Sequence, residues 1–204
     1  MKKILRIIEI TVLILLVIFI SLLLYLLIKM KLWERNFLPN INQEYLITDI
    51  TDNEELDKKI TQYTVSAEET DFVTFTPKEI GQLIYKSLGE ATGESQLNIT
   101  GVYIIPTQRI WEVCGRVEFQ KFDVLKPWLC IDITKDEMET AQLYVTKITF
   151  QGIDVGKIYK PILVNINKGI AEALVTVNEN GFVGRTLENI ELSEKGLILK
   201  GSQY

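Results

Sequence analysis

FVTFTPKEIGQLIYKSL, residues 72–88, changes period halfway and with that change points to a mixed α and β domain. Phe72-Val73-Thr74-Phe75 is a β-branched and aromatic run that suits a pleated strand. It gives way at once to Thr76-Pro77-Lys78-Glu79. Thr76 can cap a helix, Pro77 suits the first helical position, and Glu79 stands three residues after the cap, where its carboxylate reaches the cap amide. Ile80, Leu83, Ile84 and Leu88 then share one helical face, and Gly89 stands where a left-handed terminator belongs. The pattern predicts a helix over 77–88.

Downstream, residues 97–105 are strand-like, and Pro106-Thr107-Gln108 turns the chain into residues 109–120. There Trp111, Val113, Val117 and Phe119 alternate with Glu112, Arg116 and Glu118, so one face should be buried and the other wet, as in an antiparallel sheet. Two more strands are expected at 128–133 and 141–150, and a closing hairpin at 187–192 and 197–200 around Ser193-Glu194-Lys195-Gly196. Between them, after Gly152-Ile153-Asp154-Val155-Gly156, apolar residues fall at Ile158, Tyr159, Ile162, Leu163, Ile166, Ile170, Ala173 and Leu174. At about 100° per residue they cover an arc of roughly 160°, which predicts a long helix embraced by the sheet, with Gly169 on the edge of its buried arc. The expected class is α+β: a curved antiparallel sheet packed on one long helix.

The run FTPKEIGQLI resembles the start of the extracytoplasmic domain in the YpmS-like family of membrane-anchored bacterial proteins. KITFQGIDVGKIYKPILVNINKGI is similar to that family's strand, small-residue turn and long helix, and ENIELSEKGLILKG to its closing hairpin. The resemblance covers residues 72–201 as pattern, without a catalytic motif. It implies an envelope protein, with lipid binding among its expected roles.

Upstream, residues 10–28 hold 19 positions without a charge, after Lys2, Lys3 and Arg6. As a helix the run spans roughly 28 Å, close to the hydrocarbon thickness of a bilayer. A signal peptide is the rival reading, but no small-residue cleavage site follows the apolar core, so an uncleaved anchor is expected. Basic residues are tied across the span, three before and Lys29, Lys31 and Arg35 after, and the short N-terminal tail favours N-inside. The expected organisation is a tail and anchor over 1–35, an acidic stalk over 36–71, and a domain over 72–204 outside the cytoplasm. The stalk's acidic cluster lacks the glycine and terminal glutamate of a calcium loop.

Residues 36–204 carry 16 Lys and Arg against 25 Asp and Glu, a net charge of −9, and no basic run longer than Lys58-Lys59. Nucleic acid is therefore excluded as a main partner. No histidine occurs in the 204 residues, which removes Ser-His and Cys-His nucleophile pairs and HExxH zinc sites. Gly152 to Lys157 lacks the phosphate-loop spacing. Glu112, Glu118 and Asp132 are expected on wet strand positions, without the burial that tunes a catalytic carboxylate. No catalytic residue, metal or cofactor is expected. Cys114 and Cys130, on the polar parity of neighbouring strands, can form a disulfide outside the cytoplasm or remain free thiols.

Shape and place carry the functional expectation. A wide-arc helix under a curved sheet either seals into a core or leaves an apolar groove. The groove would be lined by Ile162, Ile166, Gly169 and Ile170 on the helix, with Trp111 and Phe119 on the sheet. A groove implies lipid or another apolar ligand. A sealed core implies a module that docks on an envelope protein through a sheet edge or loops.

Overall fold

The computed structural model describes residues 2–49, 54–92, 97–119, 126–135, 138, 140–179 and 185–203, with the backbone alone for 2–9, 90–92, 97, 119 and 176–179. The chain divides into two compact units, Met1–Asn40 and Ile41–Tyr204. The first is one helix, α1 (Lys2–Phe37), ending in a 3-10 turn, Leu38–Asn40. Its side chains from Ile10 to Ile28 are exposed, and the stretch Ile10–Asn40 is long and apolar enough to cross a membrane, with a mean hydropathy of 3.2 over its most apolar window. Within the run the Ser21 hydroxyl donates to the Val17 carbonyl at 2.8 Å, which satisfies it without water.

The second unit is α+β. A six-stranded antiparallel sheet runs in the order β1 (Leu46–Ile47), β3 (Leu97–Pro106), β4 (Ile110–Phe119), β5 (Trp128–Lys135), β6 (Leu143–Phe150), β7 (Ile153–Asp154). A three-stranded sheet places β9 (Gly196–Gln203) between β2 (Thr70–Phe75) and β8 (Arg185–Ser193). Among the described residues the unit also holds a 3-10 turn, Gln43–Tyr45, and the α-helices α2 (Glu54–Val65), α3 (Pro77–Thr92), α4 (Val155–Ile158) and α5 (Pro161–Glu179).

The helix that joins the two cores is α3. Ile80 packs against both of them, one built from Leu56, Tyr63, Val73 and Phe75, the other from Val102, Ile104, Trp111 and Val113. Its first turn is the predicted capping box: the Thr76 amide donates to the Glu79 carboxylate at 2.8 Å, and the Glu79 amide donates to the Thr76 hydroxyl at 3.2 Å. Lys59 on α2 adds an ion pair to Glu79 at 2.7 Å. Burial pushes the Glu79 carboxyl up, but the Lys59 and Thr76 hydrogen bonds together hold it below the ordinary value. The helix does not stop at Gly89; it runs on to Thr92, because Glu90 and Ala91 are good helix formers. Among the described residues positive φ occurs only at Gln151 and Gly152, the turn from β6 into β7.

Two expectations are corrected here. Residues 36–71 are not a solvated spacer: β1 pairs with β3, and Leu56 and Tyr63 of α2 are buried in the first core. Three of the acidic residues that suggested a stalk, Glu54, Glu55 and Asp57, are exposed in the favourable first turn of the amphipathic helix α2, and Asp52 lies outside the described residues. Nor is the downstream helix continuous and embraced. It breaks at Tyr159-Lys160 before Pro161, and none of its described side chains from Pro161 to Val175 is buried. Instead α5 lies along β6, where Asn167 accepts from the Val145 amide at 2.7 Å and donates to the Val145 carbonyl at 2.9 Å. A side-chain amide thus occupies the ladder positions of a neighbouring strand and covers the sheet edge.

Arg185, 2 % exposed, has no sequence signal. It donates to the carbonyls of Tyr63 (2.9 Å), Gly201 (3.2 Å), Ser66 (2.8 Å) and Glu68 (2.9 Å), and so closes the C-terminal end of α2 against β9.

Candidate functional site

The six candidate groove residues divide between different surroundings. Trp111 is 2 % exposed in the core under Ile80, Ile84 and Tyr85 of α3, and its indole N–H donates to the Ser193 carbonyl at 3.0 Å. Ile162, Ile166 and Ile170 are half-buried on α5, the helix beside β6, and none belongs to the Trp111 core. Gly169 is exposed, and no atom outside its own helical turn stands within 4 Å of where its Cβ would be. The Phe119 side chain lies outside the described residues. Trp111 therefore does not share a wall with the α5 stripe.

What α5 and α4 present outward is apolar and basic. Ile158 is 75 % exposed, Tyr159 57 % and Val164 66 %, with Lys157, Lys160 and Lys168 around them, all exposed. Lys157 pairs with Asp154 at 3.4 Å and Lys168 with Glu172 at 3.6 Å. Val164, Lys168 and Val175 follow one another on the outer stripe, since spacings of four and seven return to the same side of a helix. Asp154 caps α4 by accepting from the Lys157 amide at 3.0 Å, which is the work of the Gly152–Gly156 segment: it turns the chain and starts a helix.

On the large sheet, the parity expected to be wet is covered. Cys114 and Cys130 stand directly opposite on β4 and β5 and are joined by a disulfide, with Cα atoms 4.0 Å apart. Both are buried, as are Tyr103, paired with Cys114, and Trp128, paired with Arg116. The Arg116 guanidinium lies 5.9 Å from the Trp128 ring centroid. Alternation of residue type located the strands but not this cover, because Tyr103 and Trp128 occupy the polar parity and shield it.

Two residues along from the disulfide, Glu112 pairs with Asp132. Burial pushes the Glu112 carboxyl up, the nearby Asp132 carboxylate adds to the rise, and Lys147, which contacts Asp132 at 3.6 Å, opposes it. A carboxylate oxygen of Glu112 and the two sulfurs lie within 4.8 Å of one another. The expectation of a wet, ordinary Glu112 is corrected: it is half-buried beside sulfur.

A further cleft of about 410 Å³ opens beside α2 and β2, lined by Lys59, Gln62, Tyr63, Ser66, Asp71 and Thr74 among others. Its lining mixes both charges with hydroxyls, and a hydrogen bond from the Ser66 side chain, with one from the Phe72 amide, holds the Asp71 carboxyl below its ordinary value. Compared with protein-family models, curated proteins and solved structures, the chain finds no match.

Proposed function

We propose that this is a single-pass, membrane-anchored, non-enzymatic domain of a bacterial cell envelope, working outside the cytoplasm and engaging lipid through the outer face of α4 and α5. The observation that carries the reading is the exposed set Ile158, Tyr159 and Val164 among Lys157, Lys160 and Lys168, in a chain that also holds a helix apolar enough to span a bilayer. Such a face suits the boundary between acyl chains and anionic headgroups, where apolar side chains insert and lysines meet phosphate. The acidic balance of residues 36–204 makes this lysine group the more distinctive. Tethering by a span would keep the face at high effective concentration near lipid, so weak contact suffices.

The Cys114–Cys130 disulfide supports an oxidising compartment, and the absence of histidine and of a nucleophile motif supports a non-enzymatic role. The resemblance to the YpmS-like family supports the envelope setting. The test uses the full chain in vesicles of phosphatidylcholine and phosphatidylglycerol, with Ile158→Cys carrying an environment-sensitive fluorophore. Blue-shifted emission, quenched by brominated acyl chains and lost when Lys157, Lys160 and Lys168 are changed to Glu, is the expected result. Water-like emission with no quenching would remove lipid engagement and leave a docking module.

A further inference from the structure

Glu112 and Cys114 on β4 face Cys130 and Asp132 on β5 as two adjacent cross-strand pairs, and residues two apart on a strand share a face. Three of these four groups already converge: the Glu112 carboxylate and both sulfurs lie within 4.8 Å of one another. Donors around a tetrahedral zinc ion stand about 3.4–3.8 Å apart, given metal–ligand bonds of about 2.0–2.3 Å. Once the sulfur–sulfur bond is broken, side-chain rotations that move the two sulfurs apart and the carboxylate oxygen inward would bring the three donors toward that spacing. Tyr103 and Trp128 shield the sulfur side of the group, where both cysteines are buried, and Glu112 is half-buried beside them.

We propose that the dithiol form of this face binds a thiophilic divalent cation such as Zn²⁺, with Cys114 and Cys130 as thiolate ligands, Glu112 as the carboxylate ligand and water in the open position. Disulfide and cation are alternative occupants of one place. A dithiol reductant delivers two electrons and two protons to the sulfur–sulfur bond and becomes a disulfide itself. The two thiols formed then release their protons to solvent as the cation binds. Asp132, opposite Glu112, contacts Lys147 at 3.6 Å and stands outside the group of three donors.

The experiment titrates the full chain in detergent with Cd²⁺, before and after reduction by a phosphine, and reads the ultraviolet absorption of cadmium–thiolate bonds. Reduced parent should take up one ion per chain with thiolate absorption, and the oxidised parent none. Glu112→Gln should weaken the reduced protein's affinity roughly tenfold or more, whereas Glu118→Gln should leave it unchanged. Should reduction loosen the fold, recovery of near-ultraviolet circular dichroism on adding Cd²⁺ also supports the site. Reduced parent that shows no thiolate absorption, or binds as tightly with Gln at 112, overturns it.

Discussion

Helices α3 and α5 both carry an apolar stripe and a glycine, yet they are held in opposite ways. In α3, which also holds Gly89 near its end, Gly81 is a contact: a Cβ there would stand 2.9 Å from Cγ1 of Ile47, so strand β1 lies close over the helix because nothing projects there. In α5 a Cβ on Gly169 would meet nothing within 4 Å. Ile80 reaches both cores, whereas Ile162, Ile166 and Ile170 belong to neither. Periodicity announces an amphipathic helix but not what covers it, and a stripe against a sheet edge reads the same as one between two sheets.

The widest separation should come from charge. Ile80 and Ile166 are both half-buried, but Ile80→Asp sets a carboxylate against two cores and is expected to cost about 3 kcal/mol, whereas Ile166→Asp, against neither core, should cost about 1–2 kcal/mol. Urea titration followed by far-ultraviolet circular dichroism measures both. Equal losses would mean that α5 is as enclosed as α3.

A smaller effect should separate the glycines. Gly81→Leu overpacks the contact with Ile47 and should lower stability by about 1–3 kcal/mol, whereas Gly169→Leu should leave it level or raise it by about 0.5 kcal/mol through better helix propensity. Thermal melts of the two variants decide this, and a destabilised Gly169→Leu would place a neighbour over α5.

The smallest belongs to the helix starts, since α5 has no acidic residue in its first turn and α3 has Glu79. The Glu79 carboxyl is held below its ordinary value, so its contribution is present above that ordinary value and is lost as pH falls through the lowered one. Glu79→Gln should therefore cost about 1 kcal/mol at neutral pH and progressively less in acid, read from denaturation midpoints across pH. A gap between parent and variant that stays constant with pH would remove the charge from the argument.

Legibility followed the range of the forces involved. The capping box at Thr76–Glu79 and the hairpin joined at Ser193–Gly196 are local, and both stand where their residues point. The expected α+β class follows from the same local periods. Gly169 and the 36–71 segment mislead for one reason, since each depends on a partner distant in sequence or on its lack, whereas at Gly89 the cause is local: Glu90 and Ala91 carry the helix on. The glycine that mattered, Gly81, looked ordinary until Ile47 was beside it. Arg185 is invisible for the same reason, since its partners are carbonyls of Tyr63, Ser66, Glu68 and Gly201, which no side-chain pattern encodes. At the large sheet, the cross-strand neighbours of the cysteines were readable in type but not in register.

The placement of β9 between β2 and β8 sets an order of events. Strand β2 (Thr70–Phe75) is synthesised long before its partner β9 (Gly196–Gln203), and the Arg185 guanidinium that closes α2 also arrives late. Until residues 196–203 emerge, Val73 and Phe75 lack the neighbours Leu197 and Leu199 that complete their core. The three-stranded sheet must then stay open until residues 196–203 have been made, whereas the strands of the six-stranded sheet are all in place before them.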